Sequence, residues 1–330
     1  LSWNHEKALA RGVGDFSYNL AIGDPHVVRE TLVGHDFDYR LLDFFVFQGE
    51  YPQIKTIPTL EAIIRKKNLF SGKYIVPTIG AKHALHAALF ALTSTETLKC
   101  DIYAPAPYWV SYPTMAKFAD REFVTTLTTN NCIQICCNPN NPDGKLHQPK
   151  TSGPVIWDAA YQSRIYGAIS TRVKCDISVW SGGKLTGMPG LRVGWASTDD
   201  KDLFNAMCQY VEQTTSGVSP LMQNLTGQIL EATTNDRIKT IRDLFRKNQE
   251  AICGALGIPN KPISPGMFFW HKFEDYERLE QALEKAKIAV LRGEACGMTE
   301  PGWFRWSLGQ NTHITQEAMK QLEIELNDIR

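Results

Sequence analysis

Ser181-Gly182-Gly183-Lys184-Leu185-Thr186-Gly187-Met188-Pro189-Gly190-Leu191-Arg192 is the stretch that decides the fold. An amine, a run of glycines and an arginine, with a serine upstream, are what a phosphorylated aldehyde cofactor requires. An amine can form a Schiff base with such a cofactor, and an arginine and a serine can hold its phosphate. Taken alone, the run also fits a surface lysine beside a glycine turn. Its companions in the chain argue for the first reading. Asn138-Pro139-Asn140-Asn141-Pro142-Asp143-Gly144 comes earlier, then Trp157-Asp158-Ala159-Ala160-Tyr161, and Phe304-Arg305-Trp306-Ser307 follows near the end.

Working outward, β-rich runs alternate with helical stretches. Residues 74–78 read as extended, and 81–92 carry helical apolar spacing. Further strands are expected over 101–104, 122–127, 132–137, 154–158, 176–180 and 191–196. The alternation predicts an α/β fold with a mostly parallel central sheet covered by helices. Chemistry in such folds gathers beyond the strand carboxyl ends, where Asp158 and Lys184 fall. Helices are expected over 204–210, 221–230 and 238–256. After Pro262 come an extended aromatic run (266–272), a helix (276–287), a second extended run (303–308) and a final amphipathic helix (315–326). This predicts a large domain over residues 40–235, and a smaller α/β domain made of 1–39 and 236–330.

Asp158 closes the apolar run Gly153-Pro154-Val155-Ile156-Trp157. A carboxylate there is costly unless paired, and a protonated pyridine nitrogen would pair it. Gly80-Ala81-Lys82 follows a strand and opens a helix, whose free backbone N–H groups suit a phosphate. Arg305 lies between aromatic residues on an expected strand, and a guanidinium grips a carboxylate with two parallel hydrogen bonds.

Order and spacing together resemble a fold-type-I pyridoxal-phosphate (PLP) enzyme of the aminotransferase class I/II family, over residues 23–308. The resemblance implies pyridoxal 5'-phosphate as cofactor, with Lys184 as the Schiff-base lysine and Arg192 and Ser181 on the phosphate. It further implies Asp158 on the pyridine nitrogen, with Tyr161 and Asn141 donating to the phenolic oxygen and Asn138 forming the turn. Within Pro107-Tyr108-Trp109-Val110-Ser111-Tyr112, Trp109 would stack on the ring. Gly80, Ala81 and Lys82 would form the phosphate turn, and Arg305 would bind the substrate carboxylate. Ile22-Gly23-Asp24-Pro25 is similar to the loop that closes over substrate, which puts Gly23 near that carboxylate. Tyr51 would reach the phosphate of a neighbouring subunit, implying a homodimer with shared sites. Ala104-Pro105-Ala106-Pro107-Tyr108, the long gap from Asp158 to Lys184 and the form Ser-x-x-Lys-x-Thr-Gly look like the plant tryptophan aminotransferase and alliinase group. Ala159-Ala160 replace the aromatic residues that follow the aspartate in those plant enzymes.

Composition narrows the alternatives. The 330 residues are 43% hydrophobic and 21% charged, enough to bury a sizeable core. A formal net charge of zero gives no basic field for nucleic acid. No apolar run approaches the ~18 residues of a membrane span. Leu1-Ser2-Trp3-Asn4-His5-Glu6-Lys7 reads as neither signal nor transit peptide and lacks an initiator Met, so a trimmed start is expected. The eight cysteines, with Cys136 and Cys137 adjacent on a strand and pointing to opposite faces, read as buried reduced thiols. A cytoplasmic location is therefore expected. His83 and His86 lie at i, i+3 but lack a carboxylate to complete a metal site. Gly12-Val13-Gly14 is no dinucleotide-binding fingerprint.

The leading expectation is an aminotransferase that moves an amino group from an L-amino acid to a 2-oxo acid. Lys184 would shuttle the proton, and burial near Arg192 is expected to depress its pKa. The same parts would serve an alliinase-like carbon–sulfur β-lyase, because leaving-group control lies in pocket shape. A non-catalytic PLP-sensing regulator would add a DNA-binding domain, for which no basic patch is present.

Overall fold

The computed structural model describes residues 17–21, 23–32, 52–94, 100–127, 132–168 and 174–329. Its principal element is a seven-stranded sheet. The strands are β2 (Tyr74–Thr78), β3 (Ile102–Tyr103), β4 (Phe123–Val124), β5 (Ile133–Cys137), β6 (Val155–Asp158), β7 (Ile177–Ser181) and β8 (Gly194–Thr198), in the order β2-β8-β7-β6-β5-β3-β4. Pairings among β4, β3, β5, β6 and β7 are parallel, while β8 runs antiparallel to both β7 and β2. The sheet is thus mostly parallel. Pro77 is tolerated because β2 is an edge strand, where a missing N–H costs no ladder bond.

Both faces of this sheet are covered, so its strands read as continuous apolar runs rather than alternating ones. All five residues of β5 are buried. Cys137 joins the core cluster of Ile133 and Ile135, whereas Cys136 joins that of Trp157 and Trp180 on the other face. The two thiols do point to opposite faces. On the first face the helix Ala81–Ser94 presents Ala84, Ala87, Ala88 and Ala91, all fully buried. Small side chains let its backbone lie close to the sheet.

A second region is built around a three-stranded antiparallel sheet of β11 (Leu291–Arg292), β12 (Trp303–Ser307) and β9 (Phe268–Lys272). The helices Asn235–Ala255, Tyr276–Lys285 and Thr312–Asp328 pack with it. The N-terminal strand β1 (Tyr18–Asn19) pairs in parallel with β10 (Ile288–Ala289). Leu20, Val27 and Val28 are buried in the same cluster, so this segment is packed against the C-terminal elements.

Most sequence-based elements appear with shifted ends. The exception that matters is the strand expected over 191–196. Pro189–Leu191 forms a 3-10 turn, Arg192 takes φ 54°, and β8 begins only at Gly194. The left-handed residue turns the chain so that the Arg192 guanidinium reaches the start of helix Ala81–Ser94. The helix expected over 204–210 runs over Lys201–Thr215, with Asp200 accepting from the Asp202 and Leu203 amides. That expected over 276–287 stops at Lys285, and Lys287 has φ 52°. The helices Pro58–Lys66 and Tyr112–Phe118 were not anticipated. Among the described residues no helix is long and apolar enough to cross a membrane.

Candidate active site

The carboxyl ends of β5, β6 and β7 and the start of helix Ala81–Ser94 open into one cleft of about 660 Å³. Gly23, Gly80, Ala81, Lys82, Trp109, Asn141, Asp158, Tyr161, Ser181, Lys184, Arg192 and Arg305 all line it, whereas Asn138 does not and Tyr51 lies outside the described residues.

Lys184 sits on a helix of a single turn, Gly182–Thr186, directly after β7. So short a helix leaves most of its polar backbone groups unpaired. Side chains supply the partners. Ser181 Oγ accepts from the Lys184 amide at 3.3 Å, and Thr186 Oγ1 donates to the Gly182 carbonyl at 2.8 Å. Tyr166 donates to the Lys184 carbonyl at 2.6 Å, and Arg29 Nη1 to the Gly187 carbonyl at 2.9 Å. The lysine amine itself donates to the Gly23 carbonyl. A Cβ at Gly23 would stand 3.1 Å from the Phe268 ring and 3.4 Å from the amine, so glycine keeps this crossing open.

Asp158 ends β6 and is 3% exposed. Burial raises its pKa, and hydrogen bonds from Tyr112 and the Ala160 amide oppose the rise. Tyr112 donates to one carboxylate oxygen at 2.7 Å and Ala160 N–H to the other at 3.1 Å. Both donors are neutral. A buried carboxylate facing a cleft with only neutral donors suits a cationic partner in that cleft, as a protonated pyridine would be.

Where the phosphate is expected, Gly80 takes φ +101°, and a Cβ there would lie 3.0 Å from Arg192 Nη2. Arg192 donates to the Ile79 and Pro189 carbonyls, at 2.8 and 3.0 Å. Ala81 and Lys82 form the first turn of the helix, so their backbone N–H groups sit beside a guanidinium. The Lys82 ammonium lies 5.3 Å from the Trp109 ring centre. This glycine turn, guanidinium and helix start fit a phosphate, and with Lys184 and Asp158 they fit PLP.

At the other end Arg305, on β12, is 2% exposed. Burial lowers its pKa from the ordinary guanidinium value. Its Nη1 donates to Asn141 Oδ1 at 2.8 Å, its Nη2 donates to the Ala21 carbonyl, and its guanidinium stacks 4.1 Å from the Phe268 ring centre. Its Nε is buried and has no partner among the described residues. Asn141 also hydrogen-bonds the Tyr161 hydroxyl, whose pKa is raised by burial. Asn138 shapes the turn as expected, accepting from the His147 amide at 2.6 Å and donating to its carbonyl at 2.7 Å.

Sequence reasoning missed four contributors. Tyr112 stood inside a quoted motif, and its hydroxyl was the available signal. Phe268, Tyr166 and Arg29 gave none, because each acts across a distance in the chain that no local pattern encodes.

Fold and site together define a fold-type-I enzyme of the PLP-dependent class. The family model described as Alliinase_C, allinase, matches residues 53–253. The chain belongs to this family, whose members, like the aminotransferases, depend on PLP. Tryptophan aminotransferase-related protein 2 of Oryza sativa subsp. japonica is 29% identical over 180 residues, covering 50% of this chain and 36% of that protein. Alliin lyase of Allium cepa var. aggregatum is 28% identical over 219 residues, covering 59% and 49%. The chain thus spans about half the length of these curated relatives, or less. Among solved structures, a double mutant of Thermus thermophilus aspartate aminotransferase superposes with a TM-score of 0.73 at 22% identity, covering 94% of this chain and 92% of that one. The aromatic aminotransferase of Pyrococcus horikoshii gives 0.72 at 19%, covering 96% and 97%. At such identities these two show the fold.

Proposed function

We propose that the protein is a PLP-dependent aminotransferase that moves an amino group from an L-amino acid to a 2-oxo acid. One observation carries the reading. A buried arginine with an unpartnered Nε (Arg305), a lysine (Lys184) and a buried carboxylate (Asp158) line one cleft. Lys184, Asp158, Tyr161, Asn141, Trp109, Ser181, Arg192 and the turn of Gly80, Ala81 and Lys82 would hold the cofactor. Bound PLP supplies an electron sink for the substrate's Cα.

The chain's own residues do the rest. Arg305 binds the α-carboxylate of donor and acceptor alike, and Gly23 closes over that end. Lys184 takes the proton from Cα and returns it on the other side of the transfer, which requires its amine to be neutral. Asp158 holds a proton on the pyridine nitrogen. Tyr161 and Asn141 stabilise the phenolic oxygen as an anion.

A carbon–sulfur β-lyase is the second reading, favoured by the family match and by the alliin lyase relative. The plant tryptophan aminotransferase-related proteins favour the first. Purified protein incubated with pooled L-amino acids and either 2-oxoglutarate or pyruvate separates them. Transfer yields a new amino acid and a new 2-oxo acid in equal amounts. Pyruvate and ammonia without a transferred amine would replace the first reading with the second.

The same proposal includes a homodimer, with Tyr51 serving the neighbouring phosphate, and a division into a large domain over 40–235 and a small one from 1–39 and 236–330. The pairing of β1 with β10 supports the division. Sedimentation equilibrium tests the dimer, and a monomer at working concentration removes it. All eight cysteines are free, which supports a reducing, cytoplasmic location.

A further inference from the structure

His83 and His86 occupy the first turns of the helix Ala81–Ser94. His86 faces Phe118, with ring centres 5.8 Å apart. His83 turns back toward the start of its own helix. The Ile79 N–H donates to its Nδ1 at 3.4 Å, and its Nε2 lies 2.7 Å from Thr214 Oγ1. Thr214 in turn donates to the Tyr210 carbonyl at 2.7 Å. With the single Thr214 proton directed to Tyr210, His83 Nε2 must be the donor, which leaves Nδ1 as the acceptor for Ile79. The chain closes only through a neutral imidazole. Burial pushes His83 down to about 4, with His86 and Arg192 acting in the same sense.

Helices commonly satisfy an early amide with a Glu or Gln at the third position that reaches back. Counting from Gly80 as the cap, that position is His83. The residue it holds is also the one that carries the arginine, since the Ile79 carbonyl accepts from Arg192 Nη2 at 2.8 Å. Gly80 then turns into the helix start with Arg192 against it. A carboxylate at the third position would reach back as well, to the amide of the cap residue itself. It would also set a negative charge beside Arg192 and the helix N-terminus, where a phosphate must bind.

We propose that His83 is a positioning residue of the phosphate end, holding the turn at Ile79 and Gly80 through an uncharged acceptor so that the positive field there is left to the phosphate. The proposal rests on the cofactor reading above.

Two variants separate charge from shape. His83→Gln keeps an uncharged acceptor, and His83→Glu keeps an acceptor but adds a charge. Dissociation constants of PLP, and of pyridoxal, which lacks the phosphate, are measured on the full chain by equilibrium dialysis. His83→Glu is expected to weaken PLP by about 10-fold or more while changing pyridoxal by less than about 3-fold, and His83→Gln to leave both within about 3-fold. Equal weakening of both ligands by His83→Glu, as misfolding would also give, overturns the proposal. So does His83→Gln harming PLP binding as much as His83→Glu, or His83→Glu leaving it unchanged. If the unaltered chain binds neither ligand, the cofactor reading itself falls, and that result is distinct from the others.

Discussion

The two arginines of the cleft sit in opposite physical settings. Arg192 is exposed, and it bonds Pro189 three residues back and Ile79 lying 113 residues away, where Gly80 leaves it room. Arg305 is buried, and its partners come from the far end of the chain, Ala21 lying 284 residues away and Asn141 lying 164. An exposed cation keeps its hydration and can be placed by a short turn. A buried one loses its water and must be met by acceptors and an aromatic face that only the folded chain assembles. The phosphate end is therefore expected to tolerate changes of charge carrier, and the carboxylate end to be intolerant of them.

Removing the group between the two ends should give the largest effect. Lys184→Ala is expected to lower turnover by at least about 1,000-fold, since nucleophile and proton carrier vanish together. PLP binding should survive through Asp158 and the phosphate end, and borohydride should then fix no cofactor to the chain. Recovery of reduced cofactor on a different lysine would refute the assignment.

The next test puts the same change at both arginines. Arg305→Lys is expected to cost about 100- to 1,000-fold in kcat/KM, because a compact ammonium cannot replace a buried, bidentate fork. PLP affinity should hardly change. Arg192→Lys should do the reverse, weakening PLP by about 10-fold with little loss of kcat once cofactor is saturating. Equal losses of kcat/KM in both variants would erase the distinction between the ends.

Asp158→Asn sharpens the comparison from inside the sheet. A loss of about 100-fold in rate is expected if Asp158 is the electrostatic partner of the ring nitrogen, as proposed. The cofactor-free protein should respond in the opposite direction. Burial raises the pKa of Asp158 in the folded state. Ionising it therefore costs stability, a cost that grows as pH rises through the raised pKa and is absent below the ordinary carboxylate range. Without cofactor, Asp158→Asn should melt about 1–3 °C above the unaltered chain at neutral pH, and the gain should shrink as pH falls. A lower melting temperature at neutral pH would mean that Tyr112 and Ala160 more than offset the burial.

Much of the cleft was legible because its ligands cluster at strand ends, where a motif of a few residues is both a turn and a site. Asp158 and Ser181 end their strands and Lys184 comes three residues after one, and the structure places all three in one cleft. The strand expected over 191–196 begins three residues late, at Gly194, for an instructive reason. Its apolar residues suit a strand, but Arg192 adopts a left-handed conformation to reach Ile79, and periodicity carries no sign of φ. The helix Tyr112–Phe118 was hidden by Pro113, which is tolerated in a first turn although it breaks a helix interior.

The amino-acid sequence alone carried the fold class, because local spacing dictates where a strand ends and which side chain follows it, and through the resemblance of its motifs it carried the cofactor and most of the residues found lining the cleft. Tertiary structure alone decided how those residues are tuned. Tyr112 on the Asp158 carboxylate, Tyr166 and Arg29 on the lysine helix, Phe268 on Arg305 and His83 on the phosphate turn meet their partners through packing. Most of these contacts join elements far apart in the chain. Their energies come from burial and from neutral or charged neighbours, and neither quantity exists until the chain is folded.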